Sequence, residues 1–187
     1  MKNNKLIKLV ETSVLAALAV VFMLVIRFPL LPSAGFLEYD MGDIPVIIAT
    51  LICGPGAGAA VLFFVSLIQS LTVSAASSWQ GFIMHFFSSG LFITVLFFLR
   101  KKLKDKKGLS VSLAVSTASM AAVMIPLNLI FTPMYMNVPV QAVIELLLPA
   151  IIPFNLLKGI INSIIIMLLF YPLEKILKKA NLLPKNQ

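Results

Sequence analysis

The chain has 187 residues, of which 60% are hydrophobic and 12% charged, with a mean hydropathy of +1.04 and a net charge of +8. A soluble domain of this length is close to half apolar and about a quarter charged, so water is excluded as the solvent for most of the surface, and no length remains for a separate soluble domain. The positive charge does not imply nucleic acid, because the basic residues gather at the ends of apolar runs and form no patch on a water-exposed fold.

In lipid every backbone N–H and C=O must be paired internally, which leaves helices or a closed barrel. The long unbroken apolar runs exclude a barrel, whose strands would alternate polar and apolar residues. An all-α membrane protein follows, and a spanning helix needs about 20 mostly apolar residues.

The basic N-terminus and the apolar run after it resemble a signal peptide. The run is too long for one, and no clean small-residue cleavage site follows, so a retained first helix is expected over residues 6–28, ended by Pro29 and Pro32. Ser13, Ala16 and Ala17 make a small-residue stripe along it that permits close approach of another helix, within the chain or from a partner. An outer loop over 29–43 carries Leu37, Glu38, Tyr39, Asp40 and Asp43. Asp43 stands before Ile44-Pro45, which suits an N-cap followed by a first-turn proline.

The second apolar run, 44–53, is short for a full crossing; it tilts little, bends, or begins deep in the protein. Gly54-Pro55-Gly56 breaks it, and a third helix is expected over 57–73, then an outer loop over 74–79. The fourth helix, 80–99, opens beside Trp79, an aromatic of the kind found at membrane boundaries, and contains the single His85, which reads as a satisfied buried or interfacial histidine in preference to a ligand. A basic loop over 100–108 precedes the fifth helix, 109–131, which contains Pro126 and Asn128. A long outer connection, 132–150, includes an apolar stretch over 141–148 suited to a short interfacial helix. The sixth helix covers 151–171, with Pro172 just beyond.

The charges orient this plan. Lys2, Lys5 and Lys8, the basic loop from Arg100 to Lys107, and Lys175, Lys178, Lys179 and Lys185 all fall on one side if there are six crossings. That side is the cytoplasm, which then holds both termini. Five crossings would put the last group outside. No internal repeat of the inverted-transporter kind is evident.

Polar groups within a span are costly and therefore candidates for function. Asn155, Lys158 and Asn162 follow one another at i, i+3 and i+7, which puts them on one helical face. A lysine about two turns below the outer boundary would cost about 2.5–3.5 kcal/mol facing lipid, so it is expected to face the bundle interior. The competing reading has it snorkelling to the interface while the asparagines bind helices together. Asn128, near the outer end of the fifth helix, lies at a similar depth to Asn155. Two carboxamides and an ammonium suit a planar heterocycle with mixed donors and acceptors. They suit a metal poorly, and the lone Cys53 permits neither a disulfide nor a cysteine metal site. The loop containing Glu38 and Tyr39 is either a lid over such a pocket or a solvated connection. Neither GxxxxGK[ST] nor HExxH occurs, and no nucleophile–base pair or pair of carboxylates within the membrane is evident. The chain reads as a binder, with no catalytic residues and no ATP site of its own.

Three stretches together resemble the riboflavin-specific substrate-binding (S) components of energy-coupling factor (ECF) transporters. They are Leu37-Glu38-Tyr39-Asp40 with Asp43-Ile44-Pro45, the turn Gly54-Pro55-x-Ala57-Gly58, and Pro153-Phe154-Asn155-Leu156-x-Lys158-Gly159. The likeness covers roughly residues 5–178; its glycine–proline turn is common to other S components. It implies a six-helix protein of a bacterial cell membrane, which captures riboflavin from outside and needs no cofactor. It implies as partners a membrane-embedded coupling subunit and two cytoplasmic ATPases. It further implies that Asn128, Asn155 and Lys158 hold the flavin ring, and that residues near Leu37 to Asp40 help close the site. The family's two helix-one alanines, four apart, dock on the coupling subunit; here Ser13 and Ala17 match, with one alanine replaced by serine. The alternatives are an S component for thiamine, a folate or biotin, or a membrane protein outside transport.

Overall fold

The structure is a computed structural model and describes residues 4–180; Lys2 and Lys185 lie outside the described residues. Helix α1 (Asn4–Val25) leads into a hairpin of β1 (Arg27–Pro29) and β2 (Glu38–Asp40), closed through a 3-10 turn at Pro32–Ala34. Then come α2 (Asp43–Cys53), α3 (Pro55–Leu71), α4 (Ser78–Lys102), α5 (Lys106–Met136), α6 (Val140–Leu146) and α7 (Ile152–Lys179). Among the described residues, four helical stretches are long and apolar enough to cross a membrane: Lys5–Val25, Ser78–Lys102, Lys106–Met136 and Val140–Lys179. Two more, α2 and α3, are apolar but shorter.

The shortness of α2 has a structural reason. Every residue of it except Leu51 is buried. At 1.5 Å per residue it covers about 16 Å, roughly half of a bilayer core. Its first residue, Asp43, lies inside the bundle against α4 and α7, and the hairpin fills the space above it. The turn into α3 is sharp because Gly54 takes φ 91°, a left-handed value that suits glycine, and Pro55 opens α3. Gly58 lets the two helices touch: a β-carbon there would fall 1.9 Å from Thr50 Oγ1.

Several boundaries differ from the sequence expectation. α1 stops at Val25; β1 takes up residues read as the end of the first helix and pairs with β2, which lies in the segment read as loop. α5 runs on through Pro126 and Pro133 to Met136, and ends where Asn137 adopts φ 55°. The apolar stretch after it is not a detached interfacial helix. α6 runs into α7 through a π-helical turn at Leu147–Ile151, where the chain widens around Pro149 and Ile152 N–H reaches back to Leu147 O. At the basic turn between α4 and α5, Arg100 donates to the carbonyls of Leu103, Lys104 and Asp105, and Asp105 caps α5 by accepting from Gly108 N–H at 3.0 Å.

The apolar core surrounds α2 and includes Val46, Ala49, Val61, Leu96, Leu113 and Ile166. At one end of the bundle Cys53 lies 3.4 Å from Glu11, and Lys106 sits over the Tyr171 ring at 5.3 Å. At the other, Trp79 packs edge-on against Phe131 with ring centres 5.9 Å apart.

Candidate binding site

The polar stripe of α7 faces inward. Asn155, Lys158 and Asn162 are all buried, whereas Leu156, Leu157 and Ile160 between them are exposed. Close packing of α5 on α7 makes this possible: Gly159 lies so near Thr117 that a β-carbon would meet its Cγ2 at 2.5 Å.

The Lys158 ammonium does not snorkel. It lies 3.0 Å from Asp43 Oδ2 and 3.7 Å from Asp40 Oδ2. The closer contact has the distance of an ion pair, and an ammonium with three hydrogens keeps donors for a further acceptor. Burying one ammonium is tolerable only beside compensating charge, and this cluster supplies two carboxylates. Asp40 is anchored by its own loop, accepting from Gly42 N–H at 2.9 Å and from Gln69 Nε2 at 3.2 Å. Asp43 corrects the capping expectation. It is the first residue of α2 and makes no cap bond; Oδ1 meets His85 Nε2 at 3.0 Å and Oδ2 meets Lys158. Charge pairing between elements outweighs the local cap because a buried ammonium needs counter-charge close by, and Asp43 is the nearer of its two carboxylates.

Tyr39 seals the stripe. Its side chain is 1% exposed, its hydroxyl donates to Asn162 Oδ1 at 2.9 Å, and its ring packs on Phe28 at 5.4 Å. Burial pushes its phenol up to about 12, with Lys158 opposing the shift, so it remains a protonated donor at neutral pH. Glu38 takes the other direction, pairing with Arg27 across the hairpin in a half-exposed position, and Leu37 beside it is half-buried. Neither is drawn to Lys158.

Asn128 and Asn155 are buried on the facing helices α5 and α7. Each amide donates to its own helix, Asn128 Nδ2 to Met124 O at 2.7 Å and Asn155 Nδ2 to Ile151 O at 2.8 Å, and Thr132 donates to Asn128 Oδ1 at 2.8 Å. Among the described residues no hydrogen bond joins Asn128, Asn155 and Lys158 to one another. An NH₂ group carries two hydrogens, so each amide keeps one donor beyond these bonds. Beneath Asp43 and Asn162 a cavity of about 10 Å³ is lined by Ile47, Phe92 and Met120 among others, room for about one water.

Sequence reasoning missed Asp43, His85, Ser66 and Gln69 as members of this cluster. A usable signal was present: a buried lysine demands a counter-charge, and Asp40 and Asp43 are the acids in the outer loop nearest the opening of α2. On α1, Ser13 and Ala17 face outward and Ala16 is half-buried; Ser13 Oγ donates to Leu9 O at 2.9 Å.

The family model for the substrate-specific component of ECF transporters matches residues 7–170. The chain is 38% identical over 178 residues to the riboflavin transporter FmnP of Bacillus subtilis, covering 91% of this chain and 93% of that protein. It is 32% identical over 180 residues to the riboflavin transporter RibU of Streptococcus thermophilus, covering 92% and 85%. A solved structure described as "Structure and mechanism of the S component of a bacterial ECF transporter" shares the fold, with a TM-score of 0.77 and 31% identity over 91% of this chain and 97% of that one. With its apolar helices, its fold and a match along most of its length, this chain belongs to the substrate-specific components of ECF transporters, a family of membrane transport proteins and not of enzymes.

Proposed function

We propose that this chain is the riboflavin-binding subunit of an ATP-driven ECF uptake transporter in a bacterial cell membrane. The observation that carries this reading is the 38% identity, along 91% of the chain, to a protein named as a riboflavin transporter. The buried cluster is chemically suited to it. Asn128 and Asn155 offer amide donors and acceptors, and Lys158 offers an ammonium with three donors. The isoalloxazine ring presents carbonyl oxygens, ring nitrogens and one N–H, which these groups match. Tyr39 and Asp40, on the loop that lies over the stripe, act as the cover, with Leu37 and Glu38 at its rim.

In this reading the chain crosses the membrane six times, α2 and α3 each supplying one crossing, and both termini are cytoplasmic. The positive residues support that orientation: Lys5 and Lys8 open α1, Arg100 to Lys107 surround the α4–α5 turn, and Lys175, Lys178 and Lys179 close α7. The vitamin site then opens outward. With no P-loop in the sequence, energy comes from two cytoplasmic ATPases through a membrane-embedded coupling subunit, which docks on the outward face of α1 at Ser13, Ala16 and Ala17.

The direct test is to purify the chain and identify the small molecule it carries by mass spectrometry, then titrate the stripped protein with riboflavin and follow quenching of flavin fluorescence. Bound flavin and saturable quenching are expected. A colourless preparation that does not quench flavin but retains another vitamin would overturn riboflavin as the substrate while leaving the family intact.

A further inference from the structure

His85 sits on α4, away from the groups proposed to touch the vitamin, yet it is tied to them through a continuous chain of contacts. Ser66 Oγ on α3 lies 3.0 Å from His85 Nδ1, and His85 Nε2 lies 3.0 Å from Asp43 Oδ1. The other oxygen of Asp43 faces the Lys158 ammonium at 3.0 Å. The Asp43 carboxylate can only accept, so Nε2 carries a hydrogen and donates to it, and in the neutral imidazole Nδ1 then accepts from the Ser66 hydroxyl. Ser66, Asp43 and Lys158 are buried, and His85 is largely so.

The geometry matters because neither end of the ion pair is fixed by its own backbone. Asp43 has no cap bond at the start of α2, so its carboxylate can turn about its last torsion. Lys158 reaches the cluster on a flexible four-carbon stem. The second carboxylate, Asp40, is already held by Gly42 and Gln69, but it lies farther from the ammonium, at 3.7 Å. The position of the ammonium is therefore set chiefly by Asp43, and the rotation of Asp43 is set by His85.

We infer that His85, oriented by Ser66, is a positioning residue of the vitamin site: it fixes the Asp43 carboxylate and, through it, the place of the Lys158 ammonium. This rests on the riboflavin reading above. The groups facing His85 and its partner are Ser66 on α3, Asp43 on α2, and, one step on, Asp40 in the hairpin and Lys158 on α7. Removing the imidazole donor frees Asp43 to turn, and the ammonium is then no longer held in one geometry before ligand arrives.

A merely structural histidine would support helix packing whatever stands at position 158, whereas a positioning one acts through Lys158. The experiment is a double-mutant cycle on the full chain, read as the riboflavin dissociation constant from fluorescence quenching, with His85→Leu, Lys158→Met and the pair. His85→Leu is expected to weaken binding about tenfold, on the scale of a lost hydrogen bond to a charged group. In the Lys158→Met background the same change is expected to cost less than about twofold. His85→Gln, whose amide retains an N–H donor, is expected to recover most of the affinity. Equal losses in both backgrounds, or wild-type affinity in His85→Leu, would overturn the inference. If the pair binds too weakly to titrate, failure of His85→Gln to recover affinity overturns it and recovery supports it. If His85→Leu does not fold, Ser66→Ala takes its place in the cycle, with a smaller loss expected that again disappears in the Lys158→Met background. A wild-type protein that does not bind riboflavin would overturn the substrate assignment itself and this inference with it, an outcome distinct from wild-type binding with additive losses.

Discussion

On α7, Asn155, Lys158 and Asn162 turn into the bundle, where partners on α2 and the hairpin receive Lys158 and Asn162. On α1, Ser13 and Ala17 turn outward among exposed Leu9, Val10, Val14 and Leu18. Both helices are long and apolar, and both expose many of their large side chains. The difference lies in what each can tolerate. A carboxamide or ammonium away from water needs a partner, so the stripe on α7 has to be built against complementary groups. Small residues on α1 demand nothing and leave a shallow, closely approachable face. One helix forms a wall of the site and the other offers a surface, and hydropathy alone does not distinguish them.

Substitutions on the two helices should therefore fail in different assays. The largest effect is expected from Lys158→Met, which leaves Asp40 and Asp43 buried without their cation. A loss of about 3–5 kcal/mol in stability is expected, seen as a lowered melting temperature, together with at least about tenfold weaker riboflavin binding. A variant that melts and binds like the parent would mean the cluster carries neither stability nor recognition. Next come Asn155→Ala and Asn128→Ala, each expected to weaken riboflavin binding by about 1–3 kcal/mol in fluorescence titrations through loss of a buried polar partner. Near-normal affinity in both would count heavily against the proposed ring contacts. Tyr39→Phe removes the donor to Asn162 Oδ1 and should cost about 1–2 kcal/mol in stability, measured by thermal melting; an unchanged melting temperature would show that the cover contributes little to holding the bundle closed. The smallest effect on the chain itself is expected from Ser13→Leu with Ala17→Leu, with stability within about 0.5 kcal/mol of the parent and riboflavin affinity unchanged. Co-purification with the coupling subunit should fall sharply. Lost vitamin binding with intact assembly would invert the roles given to α1 and α7.

The short central helix shows how depth escaped the sequence. An apolar run over 44–53 was compatible with tilting, bending or a deep start, and nothing local chooses among these. The choice is made by Asp43, whose carboxylate is drawn inward to Lys158 and His85, so that α2 begins inside the bundle with the hairpin above it. Likewise His85 was legible as a satisfied histidine, but not as a link between Ser66 and Asp43, because its partners come from helices whose facing is set only by packing.

The sequence by itself determined the solvent, because an apolar excess of this size has no place in water, and it determined the common face of Asn155, Lys158 and Asn162, because helical spacing is a local property of the backbone. Its stretches at Leu37 to Pro45, Gly54 to Gly58 and Pro153 to Gly159 together pointed to the family. Only the tertiary structure decided that Lys158 is neutralised by Asp43 and Asp40, that Tyr39 closes over Asn162, and that Glu38 turns away to Arg27. Periodicity gives the residues that share a side of one helix but not the neighbour that side meets, and ion pairing between distant segments depends on that meeting.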